Sequence, residues 1–304
     1  MTMTTHTISI VPTSNEAIIK FESNEFLLKN GSYEFKNIDE AKPSPLAQQL
    51  FYLPFVKTVY LAQNFVAIER YDIISWADVQ DEVASQIADY LNSGKSLVHD
   101  DAVAKKVPVT VYAEATPNPA TMKFVANKKL VVHGTEFKSI NDTAPDSMAR
   151  ALYNFPFVKE IYADENYVSI QKHAIANWDE VTHEVRSFIR QQLENGAAIG
   201  ESSYTVGTTV ASGEALDLPK FEHLDDISKK IVEILDEYIK PAVASDGGNI
   251  VFDSYVAARK EVNVILQGAC SGCPSSTMTL RNGIETMLKD MIPGKIDRVI
   301  AING

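Results

Sequence analysis

The two cysteines of the chain lie close together, in the segment Gly268-Ala269-Cys270-Ser271-Gly272-Cys273-Pro274. Thiols at this spacing can bind a metal ion or an iron–sulfur cluster, or can form a reversible disulfide. Proline is favoured at the first position of a helix, so Pro274 predicts that Cys273 caps one. A thiolate there gains from the helix dipole and from unpaired backbone N–H groups, which lowers its pKa. We therefore expect both thiols to be exposed and partly ionised.

The number of thiols limits what one chain can bind. Zinc and iron–sulfur sites usually take four ligands, and this chain offers two cysteines with no histidine near them, because all six histidines precede this segment. The remaining ligands must come from a second copy, a partner protein or small thiols. A twofold dimer would complete a set of four cysteines. Such a shared site comes apart when the subunits separate, which suits a carrier better than a structural zinc site.

Two other kinds of chemistry fit a Cys-x-x-Cys segment. A thioredoxin-like dithiol protein is the main alternative, although that motif is expected after the first strand of a βαβ unit. A cysteine hydrolase is the other, because Gly268-Ala269-Cys270-Ser271-Gly272 has the Gly-x-nucleophile-x-Gly form. A hydrolase needs a histidine base, and the segment after residue 223 contains none.

The elements around the cysteines predict a small domain over residues 223–304. A helix capped by Asp225 or Asp226 ends near Pro241 and Asp246-Gly247-Gly248, where we expect a left-handed helix stop and not a ligand. Strands are predicted at 249–255 and 261–267, followed by the cysteine loop, a second helix and a last strand at 296–300. The predicted order is α-β-β-α-β.

The preceding part of the chain is a duplication. Pro54-Phe55-Val56-Lys57 recurs as Pro156-Phe157-Val158-Lys159, 102 residues later, and the two tryptophans, Trp76 and Trp178, match at the same offset. Upstream, the stretch 13–21 matches 116–124 at an offset of 103. Such self-similarity indicates two tandem copies of one domain.

Each copy is predicted to be α/β. In the second copy, strands are expected at 109–113, 130–133, 158–162 and 167–171, and helices at 144–154 and 177–194. The Gly-, Ser-, Thr- and Ala-rich stretch after the second copy is typical of a flexible linker. The fold class is therefore α/β (α+β) in three small domains, with boundaries 1–95, 107–196, linker 197–222, and 223–304.

Composition excludes several classes of protein. The chain carries 28 Lys+Arg against 40 Asp+Glu, a net charge of −12, which argues against nucleic acid or an anionic membrane as partner. No apolar run reaches the roughly 18 residues of a membrane span. We see no export signal or Arg-rich transit segment at the N-terminus, and two cysteines do not make a disulfide scaffold. These observations predict a cytoplasmic protein.

Residues 227–303 closely resemble the C-terminal domain of the NifU-like (Nfu-type) iron–sulfur scaffold and carrier proteins. Three stretches carry the resemblance: Asp246-Gly247-Gly248, the segment from Gly268 to Ser276, and Thr279-Leu280-Arg281-Asn282-Gly283-Ile284-Glu285. The second copy resembles the N-terminal domain of some members through Thr116-Pro117-Asn118-Pro119, Met122-Lys123-Phe124 and Pro156-Phe157-Val158. The first copy departs from this pattern, with Thr13-Ser14-Asn15-Glu16 in place of the proline-containing stretch.

The resemblance implies a function of binding and transfer without catalysis. Cys270 and Cys273 of two subunits would hold one [4Fe–4S] cluster at a homodimer interface, with [2Fe–2S] or zinc as alternative cargo. The partners implied are the upstream cluster assembly machinery and apo iron–sulfur client proteins. The chain lacks the three-cysteine scaffold domain of the longer members, which favours a carrier that acts late in assembly.

Overall fold

The computed structural model describes residues 5–28, 31–99, 108–200, 224–271 and 274–303. The chain divides into two compact units. The first unit, through residue 108, contains the first repeat, and the second unit, from residue 109 onward, contains the second repeat and the C-terminal domain.

The first repeat is a five-stranded antiparallel sheet with two helices. Its strands follow the order β1-β2-β5-β4-β3 across the sheet. The strands are β1 (Ile8–Pro12), β2 (Ile18–Ser23), β3 (Ser32–Phe35), β4 (Val56–Ala62) and β5 (Phe65–Arg70), and the helices are α1 (Pro45–Phe51) and α2 (Trp76–Asn92). Burial alternates along β2, so Phe21 lies in the core while Lys20 lies on the opposite, outer face of the sheet.

The second repeat has the same topology, with the strand order β6-β7-β10-β9-β8. The strands are β6 (Val111–Ala115), β7 (Thr121–Ala126), β8 (Thr135–Phe137), β9 (Val158–Asp164) and β10 (Tyr167–Lys172), and the helices are α3 (Met148–Leu152) and α4 (Trp178–Glu194). The shared topology confirms the duplication inferred from the sequence.

An aromatic cluster around the tryptophan forms the centre of each core. Trp76 contacts Phe21 and Phe55 edge-on, at ring-centroid distances of 6.0 and 6.1 Å. Trp178 contacts Phe124 and Phe157 in the same way, at 6.1 and 6.3 Å. Edge-to-face contact is the favoured geometry for such rings. The tryptophan-centred core is therefore a property of the repeat, kept in both copies.

The C-terminal domain has the predicted α-β-β-α-β order. Its elements are α5 (Asp226–Ile234), a π-helical turn (Leu235–Ile239), α6 (Lys240–Ser245), β11 (Gly248–Val256), β12 (Glu261–Gly268), α7 (Pro274–Met291) and β13 (Arg298–Asn303). In its three-stranded sheet, β11 pairs antiparallel and β13 pairs parallel with the central β12. Asp225 caps α5 as expected, because its carboxylate accepts the backbone N–H of Ile227 and of Ser228.

Three local predictions for the second repeat need correction. The strand expected at 130–133 is wrong: Leu130 and Val131 are buried, but both donate their backbone N–H to the carbonyl of Glu165 in a turn. The predicted strands include neither β7 nor β8. The helix expected at 144–154 is shorter, because Ser147 caps it at its N-terminal end by accepting the N–H of Arg150.

The first residues of the predicted linker belong to the second repeat. Ile199 is buried in its core, and the carbonyls of Ala198 and Ile199 accept the backbone N–H groups of Met148 and Ala149. Residues 201–223, the rest of the predicted linker, lie outside the described residues. Among the helices that the structure describes, none combines the length and apolarity needed to cross a membrane.

Candidate functional site: the cysteine loop

Cys270 lies in the loop that follows strand β12 and precedes helix α7. Gly268 ends the strand with φ +61°, a left-handed conformation that favours glycine. The backbone N–H of Ala269 then donates to the carbonyl of Gly247, 3.1 Å away. Helix α7 begins at Pro274, as the proline rule predicts. The second thiol, Cys273, lies outside the described residues, as does Gly272.

The glycine pair before β11 shapes the place where the Cys270 thiol packs. Gly247 has φ +80° and follows α6, which confirms the left-handed helix stop. A Cβ atom on Gly248 would lie 2.6 Å from Sγ of Cys270, closer than two such atoms can approach. Gly248 is therefore required for the thiol to fit, which is a reason for the Asp246-Gly247-Gly248 stretch that sequence reasoning missed.

Cys270 is buried rather than exposed, with 8% of its surface accessible. Burial, together with the nearby Asp246 carboxylate, raises the pKa of its thiol to about 11. The expectation of an exposed, partly ionised thiol is therefore wrong for this residue. That expectation followed from the position of the cysteines at the start of a helix, whereas in the folded chain the surrounding residues bury Cys270.

A cavity of about 470 Å³ opens beside Cys270. Its walls come from the end of α6, the cysteine loop, the first part of α7 and Pro117 of the second repeat. Besides the Cys270 thiol, the described lining includes one carboxylate, that of Asp246, which can also bind a cation. Within the described ranges, no three or more His, Cys, Asp or Glu side chains come close enough to hold a metal ion.

Side chains of the second repeat form hydrogen bonds with backbone groups of the cysteine loop. The side-chain amide of Asn118 donates to the carbonyls of Ala269 and Ser271, at 3.2 and 3.3 Å, on either side of Cys270. The backbone N–H of Gly268 donates to the Glu136 carboxylate at 3.4 Å. These contacts fix the path of the loop around the thiol.

The same face of the second repeat also binds the end of α6 and the start of β11. The ammonium group of Lys123 donates to the carbonyls of Ala244 and Ser245, both at 3.0 Å, where a cation complements the negative end of the helix. The hydroxyl of Ser169 donates to Gly247 O at 2.6 Å, and that of Tyr167 donates to Gly248 O at 3.1 Å. All of these acceptors are backbone carbonyls.

Four of the contacting side chains form one row across the sheet of the second repeat. In the strand register, Lys123 pairs with Ser169, Ser169 with Tyr162, and Tyr162 with Glu136. The Tyr162 ring packs against Gly268, where an added Cβ would lie 2.9 Å from the ring. We call this surface the covering face: it consists of Asn118, Lys123, Glu136, Tyr162, Tyr167 and Ser169. Sequence reasoning did not identify it, because residues on four strands and a loop converge there only after folding.

Comparison with known protein families shows which family has these domains. The description "Scaffold protein Nfu/NifU N terminal" matches residues 8–94 and 111–196, the two repeats, and the NifU-like domain matches residues 231–300. The chain belongs to the Nfu/NifU scaffold protein family. This confirms the resemblance stated from the sequence and its extension to both repeats.

Individual relatives within the Nfu/NifU family are moderately similar. The NFU1 iron-sulfur cluster scaffold homolog, mitochondrial, of Drosophila erecta is 32% identical over 193 residues, which cover 63% of this chain and 64% of that protein. A NifU-like protein of Schizosaccharomyces pombe is 28% identical over 197 residues, covering 64% of this chain and 73% of that protein. The matched region thus spans just under two thirds of the Drosophila relative.

A solved structure is also similar to part of the chain. The solution NMR structure of a NifU-like protein from Saccharomyces cerevisiae is 26% identical and covers 32% of this chain and 87% of that one, with a TM-score of 0.29.

The relatives contradict the prediction of a cytoplasmic location, because the Drosophila proteins are named as mitochondrial. The composition argument was too coarse for this purpose. A chain with only two cysteines is typical of a reducing compartment, and a reducing compartment need not be the cytosol.

Proposed function

We propose that this Nfu/NifU family member is an iron–sulfur cluster scaffold and carrier. In this proposal, Cys270 and Cys273 of two copies hold one [4Fe–4S] cluster between them. The observation that carries the proposal is the shortage of thiols: the loop of the matched NifU-like domain holds both cysteines of the chain, half of a four-cysteine set. The names of the relatives, which describe iron–sulfur cluster scaffolds, support the same cargo.

Transfer would occur by exchange of thiolate ligands. A cysteine thiolate of the acceptor bonds to iron as the bond from iron to Cys270 or Cys273 breaks. The acceptor thiol loses a proton and the released cysteine takes one up, so the step changes neither the oxidation state of iron nor the number of thiols. Four such exchanges move the cluster, and the two copies separate as it leaves.

A binding role without catalysis agrees with the surroundings of Cys270. A nucleophilic cysteine needs a neighbouring cation or a histidine base to stabilise its thiolate. The charged side chain that lines the cavity at Cys270 is instead the carboxylate of Asp246, which disfavours a free thiolate. A bound iron or zinc ion would supply positive charge beside the thiol and stabilise its thiolate.

The partners proposed follow from this chemistry. The cluster would come from upstream assembly machinery and go to apo-proteins that present empty cysteine sites. The dimer is proposed for the cluster-bound form, because that form alone needs four thiols at one place. [2Fe–2S] and zinc are the alternative cargoes.

Anaerobic reconstitution of the full chain with iron and sulfide tests the proposal. We expect a broad sulfide-to-iron absorption, a dimer, and about four irons per dimer. Cys270→Ala and Cys273→Ala should each abolish the absorption. Ser271→Ala is the matched control in the same loop and should keep it, because both thiols remain.

Three results would contradict this function. One is a monomer that keeps iron and sulfide with no added thiol. Another is tightly bound zinc in a chain that takes up no sulfide. The third is a Cys270–Cys273 disulfide that cycles with a dithiol reductant in the absence of metal, which would favour the thioredoxin-like alternative.

A further inference from the structure

The covering face binds the backbone of the C-terminal domain in one conformation. Lys123, Ser169 and Asn118 together donate to five backbone carbonyls. Three belong to residues 244, 245 and 247, at the end of α6 and just after it, and two belong to residues 269 and 271, on either side of Cys270. Lys123 is itself buried, with 8% of its surface accessible, and Ser169 with 2%. Buried donors aimed at buried carbonyls form a specific interface, because separating them leaves polar groups that must be rehydrated.

This interface conflicts with a cluster shared between two copies. The Cys270 thiol packs against Gly248, and Pro117 of the second repeat forms part of the wall in front of it. A cluster that bridges two chains must contact Sγ of Cys270 from a side open to the second chain. The second repeat binds the loop residues on either side of Cys270, and this is the loop that a second copy would have to contact.

The first repeat shows which of these side chains the fold itself requires. Its equivalent row is Lys20, Ala67, Tyr60 and Glu34, paired in the same register. The row thus keeps the lysine, the tyrosine and the glutamate but has Ala67 in place of Ser169. Phe65 likewise occupies the position of Tyr167. Because the same sheet forms without these two hydroxyls, their role in the second repeat is the contact with Gly247 and Gly248.

We propose that the second repeat is an internal cover for the cysteine loop, and that the loop must leave the covering face before two copies can share a cluster. The occupant of this face is the C-terminal domain of the same chain. The cover itself concerns only access to the Cys270 thiol. The need for the loop to leave the covering face before a cluster is shared rests on the proposed function.

Exchange of the two hydroxyl-bearing residues tests the cover. In a chain carrying Cys273→Ser, Cys270 is the single thiol, and its rate of reaction with an aromatic disulfide reagent reports how often the loop opens. The variant Tyr167→Phe/Ser169→Ala removes two donors and introduces residues that this fold already holds at 65 and 67. We expect its thiol to react roughly tenfold faster than that of the parent, the effect of losing two hydrogen bonds.

The reciprocal exchange in the first repeat, Phe65→Tyr/Ala67→Ser, is the matched control and should react at the parental rate. Circular dichroism and tryptophan fluorescence show whether both repeats remain folded in each variant. Equal or slower reaction in Tyr167→Phe/Ser169→Ala, with the fold intact, would overturn the cover.

The double substitution at 167 and 169, made in the chain with both cysteines, tests whether the loop must leave the covering face before a cluster is bound. We expect Tyr167→Phe/Ser169→Ala to take up iron and sulfide faster than wild type. Slower or weaker uptake would overturn the proposal, because the second repeat would then be part of the binding site. If no form takes up iron and sulfide while the thiol rates still differ, the cover is supported and the proposed function fails.

Discussion

The two repeats have one fold but differ in what lies on the outer face of the sheet. Their strand orders, tryptophan clusters and cross-strand rows coincide. In the second repeat, the row from Lys123 to Glu136 is buried under the C-terminal domain. In the first repeat, Lys20, Tyr60 and Glu34 are only partly buried. The duplication has therefore kept the core, while the outer faces have diverged in the side chains that make contacts.

The loop between the first two strands of each repeat likewise keeps its structure while its contacts differ. Thr13 donates to the carbonyls of Asn15 and Ile18, and Thr116 donates to those of Asn118 and Thr121 at the same distances, 2.9 and 3.0 Å. The threonine fixes this loop in both copies, so the prolines of the second copy are not needed to form it. Pro117 serves instead as part of the wall beside Cys270.

The largest expected difference between the repeats concerns their equivalent lysines. Lys123 donates to two carbonyls and lies 4.6 Å from the centre of the Tyr167 ring, whereas Lys20 lies 4.9 Å from the Phe65 ring at a partly exposed site. We expect Lys123→Met to lower the free energy of unfolding by about 2 kcal/mol and Lys20→Met by less than about 1 kcal/mol. Urea unfolding of both variants measures this, and equal losses would show that the interface contributes no stability.

A smaller difference is expected between the tryptophans. The indole N–H of Trp76 donates to the carbonyl of Ala17 at 3.1 Å. The indole nitrogen of Trp178 is buried and has no hydrogen-bond partner among the described residues. Replacing each by phenylalanine should therefore cost about 1 kcal/mol more at position 76 than at 178. Urea unfolding followed by circular dichroism measures both losses, because the tryptophan that each variant keeps reports the unaltered repeat, and a larger loss at 178 would contradict the prediction.

The smallest expected effect is a dependence of stability on pH. Burial raises the pKa of Glu136, while the Gly268 N–H, Lys138 and the Gln267 side chain lower it and Glu160 raises it. Because the folded state then binds this proton more tightly than the unfolded state, the stability it contributes is present at low pH. That stability is lost as the pH rises through the raised pKa.

Glu136→Gln keeps the shape of the side chain and removes its titration. We expect the free energy of unfolding of wild type to fall more steeply than that of the variant as the pH rises above the ordinary pKa of a glutamate. Glu34→Gln, at the equivalent position of the first repeat, is the control for the loss of a carboxylate. A slope unchanged by Glu136→Gln, measured by urea unfolding across this range, would contradict the assignment. Asp164, whose pKa burial also raises, remains in every form.

The elements that follow from local patterns were predictable. Helix α7 begins at Pro274 and the left-handed stop falls at Gly247, because these residues restrict the backbone wherever they stand. The strand β7 was missed because Thr121–Ala126 alternates only weakly, with Lys123 between apolar residues. Its pairing with β10 is a tertiary fact that overrides the local pattern.

The sequence by itself determined the duplication, the α-β-β-α-β domain and the presence of just two thiols, because repeats, turn residues and cysteine counts can be read along the chain. Only the tertiary structure decided that Cys270 is buried and that the second repeat covers its loop. The contacts that do this join the side chains of Asn118 and of residues on β7 and β10 to backbone carbonyls, and the Glu136 carboxylate on β8 to a backbone N–H, between residues 78 to 153 positions apart. A carbonyl has no sequence signature, so a surface that binds carbonyls becomes visible only when the folded chain brings donor and acceptor together.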